Sequence, residues 1–548
     1  MRVGELGARR RTWTVAAAAM LASLAMLVPA TASARPASKA KDDRPNILVV
    51  MTDDQAAADI ESMPNVEKLL AKKGTTFENA ITSFPLCCPS RATFLTGQYA
   101  HNHGVIGNFN PYGWYGMRNR ANTLPSWLQD AGYQTGFVGK WLNGYGAKDG
   151  HGEVPAGWDN WRGLLDVSAY DYHNFVMNKD DKLKSWGDPD FARKLVEFGN
   201  IQVIPGPQTS QSIFAKRDEV FGPPPYTYWG AENPKDYSPD VTAKVTKGLI
   251  EDQAKKKDPF FIFWSPAAPH REDVAVALMG RPGPDPRPPV RFADDVAELE
   301  LPRPPNFNEE DISDKSANLK NAAPSPMSED AIASLEEDYQ GRIGSLMAVD
   351  QRVGDLVDTL KKTKQLKNTM IMFVSDNGWL QGEHRVTGDK FLPYEESLLT
   401  PMILRGPGVP KGRTVEGQVS NIDFVPTLLD AAGAKAGRKL DGVSLLPTAR
   451  DPEKRPDRVL QIEAPAPLFA GPIPVNAWDR PYSGVRTDRF TYVVWNETGE
   501  EELYDRDLDP FQLTNVASDP AYASVKADLA AKLAQLQNCK GKSCNVKP

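Results

Sequence analysis

The chain has 548 residues, 41% of them apolar and 25% charged, with 64 Lys+Arg against 71 Asp+Glu. At roughly 150 residues per domain this exceeds one small module, and it is enough to bury a sizeable core without a disulfide framework. The composition excludes a mostly disordered chain, and a net charge of -7 leaves no basic excess for a phosphate backbone, which argues against a nucleic-acid partner.

Arg9, Arg10 and Arg11 precede an apolar stretch from Val15 to Ala30 that ends in Ala32-Ser33-Ala34. This is the pattern of a signal peptide, residues 1–34, cleaved after Ala34 on the Sec or the twin-arginine (Tat) route. The stretch is short for a span of about 20 residues, so a secreted, extracellular protein without a stable membrane anchor is expected. Loss of this leader, with four Arg and one Glu, leaves the mature chain near -10.

Four short, nearly continuous apolar runs then read as parallel strands buried on both faces. Asn46 to Met51 is followed by Asp53-Asp54, and Thr135 to Val138 by Gly139-Lys140. Phe260 to Trp264 is followed by Ser265 and His270, and Met370 to Val374 by Asp376-Asn377. Helical periodicity covers Met63 to Lys73, Thr123 to Ala131, and a long segment from a Ser328 cap to Leu360. The alternation predicts an α/β fold, a mixed, mostly parallel sheet between helices, without internal repeats.

Residues 281–326 hold ten prolines and read as an irregular excursion. Beyond about residue 450 short runs at Val459–Ile462, Tyr482–Arg486, Phe490–Trp495 and Glu502–Tyr504 predict antiparallel strands, followed by a helix over Ala521–Gln537. The division is therefore a larger α/β domain over 44–450, the part in which any catalytic site would lie, and a smaller C-terminal antiparallel-sheet subdomain over 451–548. Export permits disulfides, and Cys539 and Cys544 are close enough in sequence to bridge a small loop. Cys87 and Cys88 are adjacent, and a vicinal bridge is strained and rare.

In open α/β sheets ligands bind beyond the carboxyl ends of the strands, where this chain collects Asp53, Asp54, Lys140, His270, Asp376 and Asn377. One charged residue after one strand is an ordinary polar turn, but four strands ending this way point to a shared site. An all-oxygen donor set suits a hard divalent cation, Ca2+ or Mg2+. His101 and His103 form H-N-H, a weak zinc pattern, and the other histidines are scattered. Cations such as Arg91, Lys140, His270 and Lys390 beside a metal would favour an anionic ester, although each alone is an ordinary surface or loop residue. Cys87-Cys88-Pro89-Ser90-Arg91 opens a helix-like stretch whose N-terminus is an anion site. A cysteine-phosphatase loop wants five residues between Cys and Arg; here three follow Cys87 and two follow Cys88.

C-C-P-S-R followed by A-T-F-L-T-G resembles the C-x-P-S-R signature of the type I, formylglycine-dependent sulfatases of the alkaline-phosphatase superfamily. The resemblance runs from about residue 44 to the C-terminus through R-P-N-I-L-V-V-M-T-D-D, G-K-W, S-D-N-G and E-L-Y-D-R-D-L-D-P. C-C-P-S-R, H-N-H and G-K-W-L-N-G-Y-G together look most like the N-acetylglucosamine-6-sulfatase and extracellular heparan-sulfatase branch.

The resemblance implies an alkaline-phosphatase-like fold and oxidation of Cys87 to formylglycine (3-oxoalanine) by a formylglycine-generating enzyme. It implies calcium ligands at Asp53, Asp54, Asp376 and Asn377, with modified Cys87 completing the shell. It implies that Arg91 holds the formylglycine hydrate while Lys140, His270 and Lys390 hold the sulfate and the leaving oxygen. The hydrate offers one hydroxyl to attack sulfur and a second whose deprotonation expels sulfate. Many family members carry a His two residues after the lysine of G-K-W as base for that expulsion; here the position is Leu142, and His103 is the candidate replacement.

A secreted sulfuric ester hydrolase acting on a sulfate-ester small molecule or a sulfated glycan is the leading expectation. A phosphate or phosphonate ester hydrolase of the same superfamily, a non-catalytic binder of sulfated glycans, and a cysteine hydrolase using Cys88 with His101 are the alternatives. Asn496-Glu497-Thr498 matches a glycosylation acceptor.

Overall fold

The computed structural model describes residues 43–108, 112–146, 148, 150–199, 210–222, 233–272, 284–465 and 480–548. The leader expected over residues 1–34 lies outside them. No helix among the described residues is long and apolar enough to cross a membrane.

The main sheet has ten strands: β1 (Asn46–Thr52), β2 (Thr75–Phe77), β4 (Gln134–Lys140), β5 (Asn160–Leu164), β6 (Phe175–Lys179), β7 (Lys182–Trp186), β8 (Phe260–Ser265), β9 (Thr369–Ser375), β10 (Met402–Arg405) and β11 (Arg413–Val415). Their order is β11-β2-β10-β9-β1-β8-β4-β5-β6-β7. The central strands β9, β1, β8, β4 and β5 pair in parallel, while β10, β6 and β7 add antiparallel partners on the flanks. β3 (Ala80–Ile81) and β12 (Val419–Ser420) make a separate short pair.

The four apolar runs read from the sequence are the four central strands β1, β4, β8 and β9. They read as continuous rather than alternating because both faces are covered. In β1, Ile47, Val49 and Met51 pack into one apolar cluster, and Leu48 and Val50 into another. The first cluster includes an aromatic nest in which Phe137 lies 4.8 Å from the rings of both Trp141 and Trp161. The second is closed by the helix Glu329–Lys362, capped by Ser328 as expected and contributing Ile343, Leu346, Val353 and Leu360. Burying one such side chain stabilises by about 1.5–3 kcal/mol before ordering costs.

Register places the strand ends. Thr52 lies opposite Ser375, and Gly139 opposite Ser265, so the residues following β1, β9, β4 and β8 emerge together at one edge. Gly139 makes the closest approach. Its φ is +120°, and a Cβ there would sit 1.9 Å from the Ser265 carbonyl oxygen. No other residue type fits one position before Lys140.

The C-terminal strands are β13 (Leu460–Ala464), β14 (Tyr482–Arg486), β15 (Phe490–Trp495) and β16 (Glu501–Asp505), paired antiparallel in chain order. One face shares a cluster with Ile81, Phe84 and Phe391 from the larger sheet's connections; the other receives Leu529, Leu533 and Leu536 of the helix Ala523–Leu536. Cys539 and Cys544 are disulfide-bonded, while Cys87 and Cys88 are free thiols.

Gly139→Ala is expected to destabilise the protein by more than about 2 kcal/mol, because it adds a clash to an unfavourable backbone angle. Thermal or urea unfolding monitored by tryptophan fluorescence checks this; an unchanged midpoint would contradict the register described.

Candidate active site

Cys87 is the first residue of the helix Cys87–Thr96, which Gly97 ends at φ +64°. Every residue of this helix is buried. It is held from behind: Ser90 Oγ donates to the Asp376 carbonyl, and Asn421 Nδ2 donates to Ser90 Oγ at 3.1 Å. The Cys87 side chain therefore stands at a helix N-terminus facing the strand ends, where free N–H groups favour negative charge.

The structure gathers Asp53, Asp54, Cys87 and His270 so closely that one ligand atom from each lies within 4.8 Å of the others. All four are buried. Asp54 has φ +62°, in the left-handed region, which aims its carboxylate at the cluster; Asp tolerates this conformation better than most residues. Arg342 of the long helix supports it, donating to the Asp54 carbonyl at 2.7 Å.

Arg91 lies one helical turn after Cys87 and touches all four central strand ends. Its Nε donates to Asp376 Oδ2 at 2.8 Å, and its NH1 to the Lys140 carbonyl at 2.9 Å and to Ser265 Oγ at 2.8 Å. Its NH2 lies 3.4 Å from Asp53 Oδ2. Lys140 Nζ pairs with Asp53 Oδ2, and Lys390 Nζ with Asp54 Oδ2 at 2.5 Å. Asp376 accepts from the Asp54 and Asn377 backbone N–H groups through Oδ1.

Burial and the neighbouring Asp376 push Asp53 up to about 7, against the pull of Lys140 and Arg91. Burial also raises the Cys87 thiol, beyond what Lys140 and Lys390 offset, so the unmodified side chain is a protonated thiol at neutral pH. Burial works against the Lys390 ammonium, but Asp54, Cys87 and Asp53 outweigh it and hold the lysine charged. His270 is the converse. Burial, Lys390 and Lys140 hold it well below its ordinary value, as a neutral imidazole. Its Nδ1 faces the Arg271 carbonyl at 2.7 Å, so Nδ1 carries the proton and Nε2 is a base, 3.3 Å from Lys390 Nζ.

The residues fit a divalent cation. Asp53 Oδ1 and Asn377 Oδ1 are buried oxygens that receive no hydrogen bond, a costly arrangement unless another electrophile serves them. Two of the four donors gathered there, Asp53 and Asp54, are carboxylates, which a hard cation prefers.

Of the residues singled out from the sequence, Asp53, Asp54, Cys87, Arg91, Lys140, His270, Asp376, Asn377 and Lys390 form one connected constellation. His103 does not join it. It is buried at the end of the short helix Ala100–His103, with Nε2 3.1 Å from Thr93 Oγ1 and Nδ1 accepting from the Val105 N–H at 3.1 Å. Both ring nitrogens are occupied, and burial and the nearby Arg438, His101 and Arg118 keep it uncharged. His101 points elsewhere again, toward Glu463 and the Cys539 carbonyl, so H-N-H does not chelate. Leu142 is a core residue in the Trp141 cluster.

Sequence reasoning missed Tyr170. Its ring lies 4.4 Å from Lys140 Nζ and 4.4 Å from the His270 ring, and its hydroxyl accepts from Asn143 Nδ2 at 2.7 Å. It reaches the site through a short helical turn after β5, so no strand-end pattern could flag it. Trp379 plays a similar part, with Lys390 and Arg342 each about 5 Å from its ring.

A mixed sheet with parallel centre, carrying its polar cluster beyond the carboxyl ends of the strands, has the alkaline-phosphatase-like architecture. A solved structure described as in complex with its substrate D-glucosamine-2-N,6-O-disulfate superimposes with a TM-score of 0.67 at 23% identity, covering 91% of this chain and 98% of that one. The sulfatase family model matches residues 45–434, and a model described as the C-terminal region of N-sulphoglucosamine sulphohydrolase matches residues 382–539. The chain is 30% identical to human N-acetylglucosamine-6-sulfatase, over 92% of this chain and 86% of the relative. It is 31% identical to an arylsulfatase of Volvox carteri, over 92% and 76%. The chain belongs to the sulfatase family and is a sulfuric ester hydrolase.

Tyr170→Leu is expected to lower kcat/KM on an aryl sulfate by about tenfold or more, since it removes a desolvated cation–π contact and the packing of His270. Tyr170→Phe keeps the ring and is expected to stay within about threefold. Equal losses in the two variants would show that the hydroxyl, not the ring face, matters.

Proposed function

We propose that this chain is a secreted sulfatase that hydrolyses sulfate esters of sugars, through a formylglycine made from Cys87 and a divalent cation, most fittingly Ca2+. The observation that carries the reading is the placement of the Cys87 side chain, at a helix N-terminus and among Asp53, Asp54 and His270. The sugar substrate is supported by the human relative's name and by the ligand in the solved structure's description. A formylglycine-generating enzyme is the implied maturation partner.

When present, the cation and the formylglycine hydrate would supply Lewis acidity and a nucleophilic hydroxyl. Asp53, Asp54, Asp376 and Asn377 would hold the ion, and the unserved oxygens of Asp53 and Asn377 support that assignment. Arg91 would fix residue 87 against the strand ends through its bonds to Asp376, Ser265 and the Lys140 carbonyl. Lys140 and Lys390, both charged, would bind sulfate oxygens and offset the charge that develops on them in the transition state. Lys390, held as an ammonium, would donate the proton to the leaving alcohol. His270, neutral with Nε2 as a base, would take the proton whose removal releases sulfate, the role for which His103 is wrongly placed. The surrounding side chains exclude water from these groups, which strengthens each of their interactions.

Peptide mass spectrometry around Cys87, in protein from a host with the maturation enzyme, is expected to show a residue changed by loss of sulfur and two hydrogens and gain of one oxygen. Cys87→Ala should lower kcat by at least about 10⁴-fold. Only unmodified thiol in fully active protein would sink the reading. Paired assays with sulfate and phosphate esters should favour sulfate; a preference for phosphate above about 10²-fold, or about 2.7 kcal/mol, would transfer the chain to the phosphate-ester alternative. Exhaustive chelation should abolish turnover, and Ca2+ or Mg2+ should restore it to different extents.

A further inference from the structure

The disulfide-closed loop Cys539–Cys544 carries Lys540 and Lys542, both exposed, and its position is fixed from several sides. The Gly541 N–H donates to Asp441 Oδ1 at 2.7 Å, and Asn102 Nδ2 donates to the Cys539 carbonyl at 2.8 Å. His101 spans Glu463 at 2.9 Å and the same carbonyl at 3.0 Å. The H-N-H segment is thus a dock for the loop.

Docking brings further cations alongside. The position of a Cβ on Gly541 lies 3.6 Å from Lys439 Cβ, so the Lys439 stem runs beside the loop. Arg118 is exposed and donates to the carbonyls of His101 and Asn102. Among the described residues, Lys439, Lys540, Lys542 and Arg118 have no carboxylate within ion-pair distance, whereas many other surface lysines and arginines do. Two carboxylates lie underneath. Asp441 is taken up by the N–H groups of Gly541, Tyr99 and Asn102, and Glu463 by His101, whose proton affinity it raises against the effect of burial. The local field is positive on a molecule that is net negative.

We propose that Lys439, Lys540, Lys542 and Arg118 form a binding surface, separate from the catalytic cluster, for a sulfated polysaccharide chain. The choice of glycan rests on the sulfate-ester reading above; a polymeric substrate would be retained here while single sulfate groups react elsewhere. Long flexible ammonium groups suit a chain of spaced sulfates, for which position matters less than charge. The remaining acidic surface disfavours a duplex or a flat anionic membrane, each of which would bring a broad negative face against it.

The test compares Lys439→Gln/Lys540→Gln/Lys542→Gln with a control carrying Lys361→Gln/Lys362→Gln/Lys367→Gln, likewise exposed. The probes are immobilised heparin and soluble dextran sulfate, with duplex DNA and phosphatidylserine vesicles as comparators. The first variant should bind dextran sulfate at least about tenfold more weakly at roughly 0.1 M salt and leave heparin at lower salt. It should retain the parent's kcat/KM on a small aryl sulfate, and the control should bind like the parent. Equal binding by parent and first variant, an equal loss in the control, or tighter binding of the parent to DNA or vesicles than to heparin each overturns the proposal. A parent that binds heparin through these lysines yet cleaves no sulfate ester would instead overturn the functional reading.

Discussion

The Arg91 guanidinium is the constraint on which the rest depends. It is a planar, permanently charged fork buried where four parallel strands end, and it bonds to something from each of them. Removing such a group would strand Asp376 without its counter-charge in a dry environment and leave Asp53 to Lys140 alone, a defect that typically costs about 3–5 kcal/mol. The helix carrying Cys87 docks through the same residue, so one side chain couples the position of the reactive residue to the register of the sheet.

Charge explains why the arrangement is stable and also why it suits an anion. Asp53, Asp54 and Asp376 face Arg91, Lys140 and Lys390 at close range, and His270 is kept neutral by those same lysines. An ester sulfate is repelled weakly by an acidic molecule at a distance, and the cations it would meet at the strand ends are the ammonium groups of Lys140 and Lys390, whose charge Asp53 and Asp54 balance. Tyr170 and Trp379 contribute differently. Their ring faces receive ammonium groups already paired with Asp53 and Asp54, which orients the lysines without removing their charge.

Much of this was legible in the sequence because parallel strands buried on both faces announce themselves as apolar runs, and whatever follows such a run must lie at one edge. Asp53, Lys140, His270 and Asp376 were readable on that ground. Cys87, Arg91 and Lys390 could be named as an anion-site helix start and nearby cations, but their roles needed the family resemblance, since a helix N-terminus and an irregular loop carry no periodicity that points at a site. His103 illustrates the limit of spacing. H-N-H on one helical turn sends its two rings in different directions, one to a buried threonine and one to the C-terminal sheet. Tyr170 and Arg342 were hidden because their roles arise from contacts across the fold; Arg342 meets Asp54 across 288 residues of sequence.

The span of these contacts also sets an order of events in time. Arg91 meets Asp376 across 285 positions, and Asp54 meets Lys390 across 336. At 5–20 residues per second, synthesis of 285 residues takes roughly 15–60 s. For that interval Cys87 is already part of the chain, while the strand end that later seals it has not yet been made. A side chain that is wholly buried in the finished molecule is open during its synthesis, and any chemistry performed on it meets the least obstruction then.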